Sequence, residues 1–239
     1  MLNYNSLLCL PSSEELPNSE DTPVDNEIQY LIPSLLKASL ALVWLERWDW
    51  YFGVNMGIYY DPKKPAIVPD GFLSVGVKRF IDGDLRLSYV LWEEENPPIL
   101  ALEVTSHKPL GEYSHKKDIY AELGVLYYVV YNPFRRKKSP LEVYRLEDGE
   151  YYLMSGNPIW LPELGLGIGR ERGLYQGVAR EWLYWYDEQK RRFLTPEERI
   201  MEAEEQANMA QQRRLEAEHR VQRLEDRLKA LGYEPETIV

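Results

Sequence analysis

The sequence predicts an α/β fold: one mixed β-sheet core flanked by helices, with a long coiled-coil-like helix at the C-terminal end. Three observations carry this reading. The run ILALEVT (99–105) is short, continuous and apolar except for Glu103, as a central strand covered on both faces is. A helical stretch at about 112–123 and the apolar run GVLYYVVYN follow it, and a strand–helix–strand order implies a right-handed crossover and a parallel strand pair. LEVYRLEDGEYYLM then alternates about an Asp148-Gly149 turn, the pattern of an antiparallel hairpin, so the sheet is mixed.

The remaining elements follow in chain order. Residues 1–25 are rich in Pro, Ser, Glu and Asn and are expected to form a flexible acidic arm. Asp25 or Asn26 can cap a helix from about Glu27 to Arg47, in which Ile28, Leu31, Ile32, Leu35, Leu36 and Leu40 recur at helical spacing. Pro33 falls early in it and is tolerated or marks a kink. WYFGVNMGIYYD reads as a strand, and KKPAIVPDGFLSVGV contains another, interrupted at Pro69-Asp70-Gly71. IWLPELGLGIG and REWLYWYDEQKRRFL are expected to add short strands that close a domain spanning 26–195. From Thr195-Pro196 the composition turns to Glu, Arg, Gln and Ala. Thr195, Pro196 and Glu198 make a capping box with proline at the first helical position. Ile200, Ala203, Ala207, Ala210, Arg214, Ala217, Val221, Leu224, Leu228 and Leu231 then repeat at alternating three–four spacing over 196–239, a heptad seam that Gly232 can end.

Composition bounds the function. The single cysteine, Cys9, excludes internal disulfides and thiolate metal clusters and fits a reducing, cytoplasmic setting. No apolar run approaches the ~18 residues of a membrane span, and the first residues lack the basic region of a signal peptide. The formal charge is −11, but residues 1–25 carry −5 and residues 196–239 carry −4, which leaves −2 on residues 26–195. The acid excess that argues against a nucleic-acid partner therefore sits mostly in the tails. No glycine-rich phosphate loop is present.

Three pieces carry the chemistry: Asp70 after Pro69 on one strand, Glu103 on the buried strand, and Lys116 on the helix that follows. Two carboxylates on neighbouring strands can converge on Mg²⁺ or Mn²⁺, which take hard oxygen ligands, commonly one or two carboxylates plus waters. The backbone carbonyl of Val104 is a further candidate oxygen, and Glu27 on the first helix a candidate auxiliary ligand. Lys116 shares a helix face with Ile119, Tyr120 and Leu123 and so points at the sheet, whereas Lys117 turns towards Ala121 and solvent. Glu112, four residues earlier, is placed to pair with Lys116. The plain alternative is a structural Glu103–Lys116 ion pair with no chemistry, and Pro69-Asp70-Gly71 taken alone reads as a turn.

PDGFLSV, LALEVTS and HKKDIYAELGVLYYVVYNP together resemble the Uma2 endonuclease family, formerly a domain of unknown function abundant in cyanobacteria. The matching positions are Pro69-Asp70, Glu103 to Ser106, Lys116 to Tyr120, and Gly124-Val125 through Asn132-Pro133, within roughly residues 26–195. The resemblance implies a PD-(D/E)XK restriction-endonuclease-like fold and Mg²⁺-dependent cleavage of DNA, with Asp70 and Glu103 on the cation and Lys116 as the migrated lysine. Thr105 stands where the general motif has lysine, and Glu112 where the family usually has aspartate. The competing reading is a nuclease-fold protein without activity that works through its C-terminal helix. A homodimer is expected in either case, with that helix as the obvious place for pairing; its alanine-rich centre leaves open a single amphipathic helix lying on its own domain.

Other motifs have plain readings. His107 and His115 are expected at the surface, near the start of the helix. Arg135 to Lys138 is expected to be a solvated basic loop between strands, with contact to phosphates as the alternative. The aromatic runs around Trp44–Tyr51 and Trp182–Tyr186 are expected in the core rather than stacked on bases.

Overall fold

The computed structural model describes residues 26–80, 85–94, 96–105, 115–135 and 138–233. The arm 1–25, His107, Glu112, the Arg136-Lys137 part of the basic loop and the last six residues lie outside this set.

Helix α1 runs over Glu27–Val43. Asn26 caps it: its side chain accepts from the Ile28 and Gln29 amides, and Gln29 Oε1 accepts from the Asn26 amide in return. Pro33 is accommodated without ending the helix. The helix stops four residues short of the expected Arg47, because the chain is held in another turn there. Arg47 stacks on the Trp44 ring at 4.3 Å and pairs with Asp49 at 2.6 Å.

Six strands form the main sheet in the order β1-β3-β5-β6-β7-β8. They are β1 (Trp50–Val54), β3 (Gly71–Val75), β5 (Leu100–Val104), β6 (Tyr127–Tyr131), β7 (Leu141–Glu147) and β8 (Glu150–Met154). Helix α3 (His115–Glu122) crosses from β5 to β6, and that pair is parallel, as the strand–helix–strand order predicts. The other pairs are antiparallel. The β7–β8 turn has Asp148 and Gly149 at φ 49° and 84°, both in the left-handed region, as a two-residue hairpin matched to strand twist requires.

The expectation of one sheet needs correction at two places. WYFGVNMGIYYD is not one strand: it breaks at Asn55, where φ is 46°, and Ile58–Tyr59 (β2) instead pairs in parallel with Tyr89–Val90 (β4), just before the short helix α2 (Leu91–Glu94). The C-terminal strands β9 (Ile159–Leu161), β10 (Leu166–Tyr175) and β11 (Val178–Tyr186) do not extend the main sheet either. They pair with one another in a separate antiparallel sheet. The reason is the two-sided apolar character of α1. One cluster joins Ile32, Leu35, Leu36 and Leu40 to β1, β3, β5 and β6 below and to Leu183, Trp185 and Ile168 above. The Trp185 indole N–H donates to the Leu36 carbonyl at 2.9 Å and pins the second sheet to the helix. The Trp182–Tyr186 run is thus buried core, as expected, whereas Trp48 is exposed.

Alternation along β5 sends Leu100, Leu102 and Val104 to the α1 side, and Ala101 and Glu103 to the α3 side. Gly71 sets how closely α1 approaches β3. A Cβ there would stand 2.9 Å from Pro33 Cβ and 3.2 Å from the Phe52 ring. Gly71→Ala is therefore expected to cost about 1–3 kcal/mol through overpacking, seen as a fall in melting temperature of roughly 2–4 °C per kcal/mol. An unchanged melt would mean that α1 can slide without cost.

Helix α4 (Pro196–Ala230) leaves the domain from Thr195, whose hydroxyl accepts from the Glu198 amide while Glu198 accepts from the Thr195 amide. Arg192 also clamps Glu198 at 2.8 Å. No residue of α4 is buried.

Candidate active site

The site forms where β3 begins and β5 ends. In the β3–β5 register Gly71 faces Leu102 and Phe72 faces Ala101. Continuing that register by one residue sets Asp70 across from Glu103. Both are buried, Asp70 at 7% and Glu103 at 1% exposure. Burying two carboxylates without compensation costs several kcal/mol, so their partners define the site.

Asp70 Oδ2 accepts the Val104 amide N–H at 2.5 Å, which locks the aspartate onto β5 one residue past Glu103. Gln29 Nε2 lies 3.5 Å from Asp70 Oδ1, at the long edge of hydrogen bonding. Glu103 is held at both oxygens: Lys116 Nζ donates to Oε2 and the Tyr120 hydroxyl donates to Oε1, each at 2.8 Å. The lysine also donates to the Val68 carbonyl at 3.2 Å, so one ammonium ties the approach to β3 to the end of β5. Its side chain is 27% exposed, which opens this end of the site to solvent. Burial, and then the Glu103 and Asp70 carboxylates, push the Tyr120 phenol well above its ordinary range, so it stays protonated and donating.

The structure thus brings Asp70, Glu103 and Lys116 together. Val104 joins them through its amide. Glu27 stays apart: it is exposed on the first turn of α1, and Gln29, about 200° further round that helix, is the residue that reaches Asp70. Lys117 is half-buried rather than fully turned to solvent. Its ammonium lies 3.8 Å from the Tyr144 ring centroid, where burial lowers its pKa. Arg135 of the basic loop is engaged by Glu142 at 2.8 Å.

Two contributors carry roles that residue type alone did not assign. Tyr120 follows Lys116 by four residues, and that spacing was the available signal. Gln29 serves the helix cap with its oxygen and Asp70 with its amide N–H, a double use open to glutamine and not to glutamate. Thr105, at the position of the lysine in the general motif, has a buried hydroxyl with no hydrogen-bond partner among the described residues. Strand alternation puts it on the Glu103 face.

The donor set is suited to a hard cation. Among the described residues it offers two carboxylates and no imidazole or thiolate, and neither here nor elsewhere among them do three or more His, Cys, Asp or Glu gather. The orphaned Thr105 hydroxyl adds a polar atom on the same face.

No curated protein matches the chain. Among solved structures, it is similar to a "putative nuclease belonging to DUF820" from Anabaena variabilis ATCC 29413, with a TM-score of 0.44 and 13% identity, covering 59% of this chain and 74% of that one. The Uma2 family model, described as "Putative restriction endonuclease", matches residues 19–174. With the larger part of its length matched by that model, the chain belongs to the Uma2 family.

Proposed function

We propose that this protein is a divalent-cation-dependent endonuclease that hydrolyses phosphodiester bonds in DNA. The observation that supports it is the convergence of Asp70 and Glu103, from adjacent strands, beneath a partly exposed lysine. A structural ion pair needs Glu103 and Lys116 alone. A second buried acid, held in place by a backbone amide, adds negative charge that a purely structural site would avoid.

Asp70 and Glu103 would hold Mg²⁺ or Mn²⁺, with the Val104 carbonyl as a third oxygen. The cation would supply Lewis acidity at the phosphate and a bound water of lowered pKa. The chain's own groups set the geometry. The Val104 amide fixes one Asp70 oxygen and so directs the other. Tyr120 fixes the Glu103 carboxylate plane. Lys116, at the solvent edge, orients the attacking water or offsets charge growing on the phosphate. DNA as substrate rests on the family's description as restriction endonuclease.

The deciding experiment titrates Mg²⁺ and Mn²⁺ against the purified chain, following binding by calorimetry and nicking of supercoiled plasmid. Saturable binding with cation-dependent nicking is expected. Absence of both would leave the interaction-protein reading. Tyr120→Phe separates the roles further. Glu103 then loses one of its two anchors but keeps its charge, so cation affinity or turnover is expected to fall about 10–100-fold with the fold retained, the usual size of such supporting effects. Wild-type binding and turnover in this variant would show that Lys116 alone positions Glu103.

A further inference from the structure

We infer that α4 is one strand of a parallel, in-register, two-stranded coiled coil formed with a second copy of this chain. The argument starts from what the helix leaves uncovered. Its seam residues Ile200, Val221, Leu224, Leu228 and Leu231 are between 43% and 74% exposed in the single chain. A helix of 35 residues with none buried has little to hold it unless its apolar stripe meets a partner.

The charges beside the seam say which partner. With Ile200 at position a of the heptad and Ala203 at d, the g positions are Arg199, Gln206, Arg213, Arg220 and Arg227. The e positions are Glu204, Gln211, Glu218 and Glu225. One flank is cationic and the other anionic. In a parallel pair each g residue meets the e residue five positions on in the partner. Those contacts are Arg199–Glu204, Gln206–Gln211, Arg213–Glu218 and Arg220–Glu225, every charged one attractive and each present twice by symmetry.

The alternatives fail on the same residues. Antiparallel pairing sets g against g and e against e, which brings Arg213 towards Arg220 and Glu204 towards Glu225. Within one helix, residues five apart lie about 140° apart around the axis, so the two flanks cannot satisfy each other without a second helix. The charge at the centre of the seam fits as well. Arg214, at an a position, reaches out to Glu218 at 2.8 Å, so its charge sits at the rim rather than between the helices. A single polar a residue favours one register and costs stability.

Parallel pairing has a consequence for the rest of the molecule. Both domains sit at the same end of the coil, whereas antiparallel pairing would separate them by roughly 50 Å, the length of the helix. This inference is independent of the chemistry at Glu103, and its failure would leave that reading untouched.

The test uses the full chain in three forms. Sedimentation equilibrium of the wild type should give twice 28.1 kDa. A first variant carries Glu204→Arg, Glu218→Arg and Glu225→Arg, and a second carries Arg199→Glu, Arg213→Glu and Arg220→Glu. Each alone should be monomeric at concentrations where the wild type is dimeric, and a mixture of the two should restore a one-to-one dimer. Orientation is read from Leu228→Cys in a Cys9→Ser background, which should crosslink to a covalent dimer on mild oxidation. A wild-type monomer, dimers that survive either charge variant, or no crosslink at position 228 would each overturn the proposal. Circular dichroism that reports an unfolded domain would assign a loss of dimer to misfolding, and recovery on mixing then decides.

Discussion

Glu103→Gln is expected to remove cation-dependent nicking by a factor on the order of 10²–10³, the size of losing one electrostatic group aimed at the reacting centre, while the fold persists. Glutamine keeps the length of the side chain and an oxygen for the Tyr120 hydroxyl, so the bond at 2.8 Å survives. What disappears is the charge that faces Lys116 and would face the cation. The thermal readout separates the functional reading from the structural one. A wild-type site that binds Mg²⁺ in the folded state alone gains about 2.7 kcal/mol of stability at a hundredfold excess over its dissociation constant, and the variant should gain nothing. Lys116→Met acts in the opposite sense. Removal of the ammonium leaves a buried carboxylate that a cation can neutralise, so metal binding is expected to persist or tighten while turnover falls. If Glu103→Gln nicks plasmid at the wild-type rate and still responds to Mg²⁺, the carboxylate is structural and the site lies elsewhere.

The site was legible because its residues violate the pattern around them. Glu103 is one acid in an otherwise apolar strand, and Lys116 and Tyr120 share a helix face at a spacing of four. Asp70 was harder: an Asp before Gly reads as a turn, and its burial follows only from the β3–β5 register. Gln29 was not legible, because its approach to Asp70 depends on how α1 seats against β3 at Gly71. The hairpin, the parallel crossover and both helix caps are local features and read directly from short stretches. The separate second sheet is not local. Nothing in the alternation of β9 to β11 states that α1 has two apolar sides to cover. The heptad seam was visible, but only the structure, in which no residue of α4 is buried, shows that the described residues of the domain leave it exposed.

Arg86→Ala is expected to be the most damaging single substitution outside the site. The structure buries an ion pair between the segment after β3 and helix α2. Arg86 and Glu94 have side-chain exposures of 1% and 7%, joined by Nε–Oε1 at 2.5 Å and Nη2–Oε2 at 2.9 Å. The guanidinium also donates to the carbonyls of Arg79 and Lys78 and lies 4.6 Å from the Tyr51 ring centroid. One side chain therefore ties the segment after β3, helix α2 and the Tyr51–Phe72–Tyr89 aromatic cluster, which sits on the same sheet face as Tyr120. Its loss strands Glu94 with a buried, unpaired charge and leaves two carbonyls short of a donor. Breaking such a pair from one side costs about 3–5 kcal/mol, or a fall in melting temperature on the order of 10 °C for a chain of this size. Lysine is no substitute, since it cannot make the two parallel bonds or lie flat on the ring. The double variant Arg86→Ala/Glu94→Ala removes the stranded charge along with its cause. It should therefore be less destabilised than the sum of the two single changes, by roughly 1–3 kcal/mol of coupling. Additive losses in that cycle would mean that water already reaches the pair, and that the segment is held by its aromatic contacts instead.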